Sequence, residues 1–179
     1  MAFSPDFTTH KQYTSIYTQK ERFEQFVKKG GSVTLALFDH KTIIGFAVLD
    51  YPDDEDRWAR MDQKDIMEIK AVEVLREFRK QGIARRLLYH LLSDPELEHK
   101  IIYLTAYSWT WDTVYSGLTI QSYRNMLMNL YADFGFMEYL TNEPNICLKS
   151  ENVFMARIGE KVPQKIREEF KWLRFGICV

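Results

Sequence analysis

The chain has 179 residues, 46% of them hydrophobic and 15% aromatic, with 24 Lys plus Arg against 25 Asp plus Glu and a formal net charge of -1. A chain of this length suits one domain, residues 1–179, and buries roughly two-thirds of its surface without covalent staples. The even charge balance argues against nucleic acid as the main partner, because a phosphate-binding face shows as a basic excess.

The start, Met1 to Asp6, has no basic region followed by an apolar stretch, so no signal peptide is expected. Lys11 to Val27 reads as a polar-faced helix closed by Gly30-Gly31. Val33 to Phe38 and Thr42 to Leu49 read as strands, and Asp39-His40-Lys41 between them makes a hairpin turn. Tyr51 to Lys64 is acidic and loop-like, interrupted by Arg57-Trp58. Ile66 to Val74 is a strand. Gly82 to Leu92 is a helix, with Ile83, Leu87, Leu88, Leu91 and Leu92 recurring at three and four. Ile101 to Tyr107 is a strand, and Ser108 to Gly117 a tryptophan-bearing loop. Ile120 to Phe134 reads as a second long helix, stopped at Gly135, with Tyr123, Leu127, Leu130, Tyr131 and Phe134 on one face. Phe136 to Leu140 and Val153 to Ile158 complete the strands. Pro163 fits the first turn of a final helix striped by Ile166, Phe170 and Leu173. Helices alternating with strands predict a layered α/β or α+β fold.

Cys147 and Cys178 show no CxxC spacing, which points to a reducing compartment rather than a disulfide framework. His10, His40, His90 and His99 form neither HxxxH nor HExxH, so no metal site is expected. No run approaches the ~20 apolar residues of a membrane span. The expectation is a soluble, cytoplasmic protein with neither a nucleic-acid nor a membrane partner.

The informative stretch runs from Glu68 to Leu88, where a strand enters a tight turn and the turn opens a helix. The first N–H groups of a helix lack internal acceptors, and the helix dipole adds partial positive charge there. Such a turn binds phosphate through its main chain. Gly82 and Ala84 let an anion approach the backbone, and Arg79 and Lys80 add positive charge. Neither a Walker GK[ST] ending nor GxGxxG is present. Spacing alone also fits an ordinary strand-turn-helix of an α/β protein.

Arg79-x-x-Gly82-x-Ala84 resembles motif A of the Gcn5-related N-acetyltransferases, Q/R-x-x-G-x-G/A. Tyr131-Ala132-Asp133-Phe134-Gly135-Phe136 is similar to that family's Y-x-x-x-G-F helix ending. Many members carry Asn seven residues before this tyrosine; here Arg124 holds that place, with Asn125 beside it. Tyr51-Pro52-Asp53, Arg57-Trp58, Trp109-Thr110-Trp111-Asp112 and Met155-Ala156-Arg157-Ile158-Gly159 occur in order and resemble the bacterial acetoin-utilisation acetyltransferases. The resemblance implies a mixed, splayed central sheet flanked by helices, and acetyl-CoA as donor without a metal. It implies coenzyme contacts at Val72, Val74, Arg79, Gly82, Ile83 and Ala84. It also implies protein lysine acetylation that inactivates acetyl-CoA synthetase.

Acetyl transfer to an amine needs a base, an oxyanion donor and a proton for the leaving thiolate. Glu68 lies eleven residues before Arg79, as the catalytic glutamate does in histone-acetylating relatives, and is the candidate base. The competing role is an exposed strand carboxylate or an ion-pair partner of Lys70. Glu73, on the opposite strand face, is the reserve. Tyr131 is the candidate acid, with core packing as the alternative. The oxyanion donor is expected from the main chain near Val72 to Val74. Arg85 and Arg86 read as a solvated helix face. Trp109, Trp111 and Asp112 would either shape an acceptor groove or pack and cap locally. Two other functions remain open: a small-amine acetyltransferase, which the acidic stretch Asp53 to Asp56 would also suit, and a non-catalytic acyl-CoA-binding module.

Overall fold

The computed structural model describes residues 1–9 and 20–177. Its strands are β1 (Ala2–Phe3), β2 (Ser32–Phe38), β3 (Thr42–Asp50), β4 (Ile66–Val74), β5 (Ile101–Ala106), β6 (Met137–Glu138) and β7 (Val153–Ile158). Its helices are α1 (Asp6–Thr9), α2 (Lys20–Lys28), α3 (Ile83–Leu91), α4 (Thr113–Ser116), α5 (Ile120–Ala132), α6 (Pro144–Cys147) and α7 (Gln164–Leu173). The strands form a mixed seven-stranded sheet in the order β1-β3-β4-β5-β7-β6, with β2 on β3. The chain divides into two compact units, Met1–Asp50 with Ile69–Ser93, and Tyr51–Glu68 with Asp94–Val179. Strand β4 runs through both.

In the first unit, β2 and β3 form the expected antiparallel hairpin. Its turn carries Asp39 and His40 at φ 49° and 56°, closed by Lys41 N–H to the Phe38 carbonyl at 3.2 Å. Paired positive φ values give a turn whose twist matches the flanking strands. Strand β1 adds to β3 in parallel. Phe3, Phe7, Phe23 and Phe46 meet as an aromatic cluster, with centroids between 5.1 and 5.9 Å. The predicted Lys11–Val27 helix is present over α2, and its segment 11–19 lies outside the described residues.

The second unit centres on Trp58, which stacks on Phe154 at 4.9 Å and 9° and packs against Tyr103 and Phe170. This anchor explains why the acidic 51–64 stretch holds a 3-10 turn at Arg57–Arg60 where a plain loop is expected. Arg57 secures the turn by donating to Asn142 Oδ1 at 2.5 Å and to the Arg174 carbonyl at 3.0 Å. Strands β5 and β7 pair antiparallel over their full lengths. The parallel ladder of β4 and β5 is short, from Ile66↔Ile101 to Glu68↔Tyr103.

Three expectations need adjusting. The Phe136–Leu140 strand shrinks to β6, because Phe136 turns inward, 2% exposed, against Tyr131. Pro163 is the N-cap of α7 rather than its first residue; its extended ψ of 148° leaves its carbonyl to accept the Arg167 N–H at 3.1 Å. The tryptophan loop contains a 3-10 turn, Ser108–Thr110, and α4.

Candidate functional site

The predicted donor residues all fall in the first unit. After β4, Leu75 N–H bonds the Ile44 carbonyl at 2.9 Å, and a 3-10 turn spans Arg76–Phe78. Arg79 folds back, its Nε–H donating to the Val74 carbonyl at 3.0 Å. Lys80 and Gly82 both adopt positive φ, 62° and 74°, so the chain makes two left-handed steps before α3 starts at Ile83. Gly82 is the N-cap and supplies no side chain; its carbonyl accepts the Arg86 N–H at 3.1 Å. The N–H groups that open α3 therefore face outward with the positive end of the helix dipole, the arrangement that takes phosphate. A Cβ built at Gly82 meets nothing within 4 Å, so the main chain is open to an approaching anion.

Packing holds this turn in place. Ile83, Leu87, Leu88 and Leu91 are buried, and Thr34 Oγ1 donates to the Leu87 carbonyl at 3.1 Å. At Gly45 of β3 an added Cβ would lie 3.0 Å from the Glu73 carbonyl oxygen and 3.3 Å from Val74 Cγ2. A side chain there would require the neighbouring strand to give by a few tenths of an ångström. Val74 is buried, Val72 and Ala84 are half-buried, and Arg85 and Arg86 are exposed, as a solvated helix face requires. Glu73, the reserve base, is half-buried on β4.

Glu68 belongs to the second unit and is the last β4 residue in register with β5, opposite Tyr103. The Tyr103 hydroxyl donates to Glu68 Oε2 at 3.2 Å. Tyr103 is 1% exposed. Burial drives its hydroxyl pKa far above the ordinary phenol range, and the negative charges of Glu68, Asp56 and Asp53 push the same way. Tyr107 is also raised, first by burial; a hydrogen bond with Thr105 opposes this, and Glu143, Glu68 and Asp56 add to the rise. Both phenols thus feel nearby negative charge, Tyr103 from Glu68, Asp56 and Asp53 and Tyr107 from Glu143, Glu68 and Asp56. Negative charge of this kind favours an ammonium group over an anion.

Tyr131 stands near the end of α5, 7% exposed, with its ring edge-on to Phe136 at 5.8 Å. Burial raises its pKa, and Tyr123 adds to the effect. The group stays protonated at neutral pH and is packed as well. Asp112 is buried at the N-cap position of α4, where its side chain makes no capping hydrogen bond. Trp111 stacks on Tyr123 at 5.3 Å, while Trp109 stays 55% exposed. The Met155–Gly159 segment is structural: Arg157 pairs with Glu98, and a Cβ at Gly159 would come 2.3 Å from the Glu98 carbonyl oxygen.

Residues 2–110 match the acetyltransferase (GNAT) family. The chain belongs to that family. This acetyltransferase is 30% identical over 174 residues to the acetoin utilization protein AcuA of Bacillus licheniformis, an alignment covering 95% of this chain and 82% of the relative. The crystal structure of an acetoin utilization protein from Exiguobacterium sibiricum is similar at TM-score 0.83 and 31% identity, over 97% of this chain and 81% of that one. The phosphinothricin acetyltransferase of Sinorhizobium meliloti, solved with acetyl-CoA, shares the fold at TM-score 0.54 and 18% identity, over 78% of this chain and 68% of that one.

The acetyltransferase is thus an N-acetyltransferase built on a mixed sheet flanked by helices. Where many family members carry Asn, its Arg124 pairs with Glu138 and donates to Met128 Sδ at 2.8 Å, while Asn125 is exposed. Among the described residues no group of three or more His, Cys, Asp or Glu is placed to hold a metal, and no helix is long and apolar enough to cross a membrane. Cys147 is a free, exposed thiol, and Cys178 lies outside the described residues. The residue that sequence reading passed over is Tyr103. Its link to Glu68 spans 35 positions, and only the strand register brings the two side by side.

Proposed function

We propose that this chain transfers the acetyl group of acetyl-CoA to the Nζ of a lysine in a folded protein, acetyl-CoA synthetase being the favoured acceptor, and that it works as a single cytoplasmic domain. The observation that carries the reading is the hydrogen bond from Tyr103 to Glu68, with the further negative charge of Asp56 and Asp53 felt at the same phenol. A lysine ammonium is drawn to such negative charge and must then lose a proton before it can attack. The name shared by the Bacillus and Exiguobacterium relatives supports the metabolic setting.

In this mechanism the α3 entry turn holds the donor phosphates, with Arg79, Gly82, Ile83 and Ala84 supplying main chain and charge. Glu68 takes a proton from the amine. The free Nζ attacks the thioester carbonyl carbon, and main-chain N–H groups of Val72 to Val74 stabilise the oxyanion. The C–S bond breaks as the carbonyl re-forms, Tyr131 offers its hydroxyl proton to the departing thiolate, the acylated nitrogen gives up its second proton to restore that hydroxyl, and Glu68 releases its own proton to solvent. The products are Nε-acetyl-lysine and coenzyme A.

Labelled acetyl-CoA is incubated with native acetyl-CoA synthetase, with the unfolded synthetase and with spermidine, and kcat/KM is compared. The native protein is expected to react best. A small amine that equals it transfers the assignment to the small-amine reading, which the exposed Asp53 to Asp56 stretch also suits.

A further inference from the structure

Beside the phenol and carboxylate group lies a surface whose chemistry is already on display. Tyr107 and Trp109 stack in parallel, with centroids 4.7 Å apart and planes 5° apart. One face of the indole thus rests on Tyr107, and the ring is still 55% exposed. The exposed Lys149 places its Nζ 5.2 Å from the Trp109 centroid. The face therefore receives an ammonium group, drawn by the ring quadrupole.

The platform is pre-organised. Asn152, 2% exposed, accepts the Ser108 N–H at 2.7 Å and donates to the Asn145 carbonyl at 2.5 Å, which fixes the tryptophan turn to the α6 segment. Thr110 closes the turn, its N–H and hydroxyl both bonding the Tyr107 carbonyl, at 2.9 and 2.8 Å. Among the described residues, the Lys149 ammonium, by contrast, has only this exposed cation–π contact, which another cation can replace. The charge around the platform favours cations: Tyr107 feels the negative charges of Glu143, Glu68 and Asp56.

We propose that the Tyr107–Trp109 stack is the seat for a basic side chain of the acceptor protein, and that Lys149 occupies that seat in the free enzyme and is displaced on docking. The inference rests on the protein-lysine reading above and narrows its partner to a surface presenting a lysine or arginine near the target lysine. Binding energy gathered at this remote contact orients the target amine. A small monoamine has nothing to place there.

The test is steady-state acetylation, with labelled acetyl-CoA, of native acetyl-CoA synthetase and of an array of lysine peptides with Arg or Ala at each flanking position. The wild type, Trp109→Ala, Trp109→Phe and Lys149→Ala are compared. Trp109→Ala is expected to raise KM about ten-fold, with the loss falling on KM rather than kcat. Trp109→Phe, which keeps a ring face, recovers part of it. Lys149→Ala uncovers the seat and lowers KM about two- to three-fold. Opposite signs from two touching residues distinguish a seat and its occupant from a scaffold. If Lys149→Ala raises KM as Trp109→Ala does, or if neither moves it, the seat is overturned while protein acetylation stands. If the wild type acetylates neither synthetase nor peptide, the protein-lysine reading fails, and the seat with it.

Discussion

The turn that opens α3 and the phenol–carboxylate group at β5 are built on opposite principles. At the turn the proposed working parts are main-chain N–H groups, and the sequence contributes mainly what it leaves out: a cap without a side chain, at a φ of 74°. At β5 the proposed working parts are side chains from separate strands, Glu68 and Tyr103, brought together by strand register, with charge from Asp53 and Asp56 felt at the Tyr103 phenol. A backbone-coded site is fixed by a few consecutive residues. A side-chain-coded site needs the fold to exist first.

The sharpest way to break this contrast is Glu68→Gln. The amide keeps the size and the position opposite Tyr103 but cannot take a proton. Turnover is expected to fall by ~10²-fold or more, while acetyl-CoA binding, followed by calorimetry, persists. A variant with wild-type turnover at every pH would make Glu68 a structural carboxylate and pass the role to Glu73.

Gly159→Ala separates backbone coding for stability from backbone coding for binding. The new Cβ would meet the Glu98 carbonyl carbon at 2.5 Å and its oxygen at 2.3 Å, and neither is a flexible side-chain end. Overpacking of this kind costs about 1–3 kcal/mol, read as a lowered urea midpoint. No such loss would mean that the main chain relaxes freely there, and that the resemblance in the Met155–Gly159 segment reflects something other than packing.

Gly82→Glu addresses the binding side. Space is open above Gly82, so the damage comes from a carboxylate placed before the helix N-terminus and from the left-handed φ. Acetyl-CoA affinity should fall by about ten-fold, equivalent to ~1.4 kcal/mol. Gly82→Asn, which tolerates that φ better than other side chains, should lose less. Equal affinity in all three folded proteins would remove the turn from the donor site.

The same division decides what was legible in the sequence. The β4 strand, the α3 helix and the hairpin were readable because each is set by periodicity and a turn within a dozen residues. The β7 strand was readable for its apolar run. The extent of β6 was not, since Phe136 is claimed by its partner Tyr131 rather than by a ladder. Arg57-Trp58 stood out in the acidic loop, but its meaning depends on Phe154 and Phe170, about a hundred residues later. Asp112 shows the limit most clearly. Its neighbours Trp109 and Trp111 suggest a groove, and the fold buries it at the start of α4.

The smallest effect is expected from Tyr103→Phe, and it tests whether the β5 group acts as a unit. The substitution removes one hydroxyl and keeps the ring against Trp58 and Phe154. That hydroxyl donates to Glu68 Oε2, and a donated hydrogen bond favours the charged form of a carboxylate. Its loss disfavours the charged form, so a higher pH is needed to keep the base ready. The acid limb of the kcat/KM profile should therefore move to higher pH, by about half to one unit for a bond worth ~1 kcal/mol. The alkaline plateau should drop by no more than a few-fold. Tyr103 adds no limb of its own, because burial and the nearby carboxylates hold its hydroxyl protonated throughout the working range. Asp53, Asp56, Tyr107 and Glu143 remain in both proteins, so the difference between the two profiles isolates the single bond. A limb that stays in place while the plateau falls would mean that Tyr103 serves packing alone, and that the carboxylate is oriented by other neighbours.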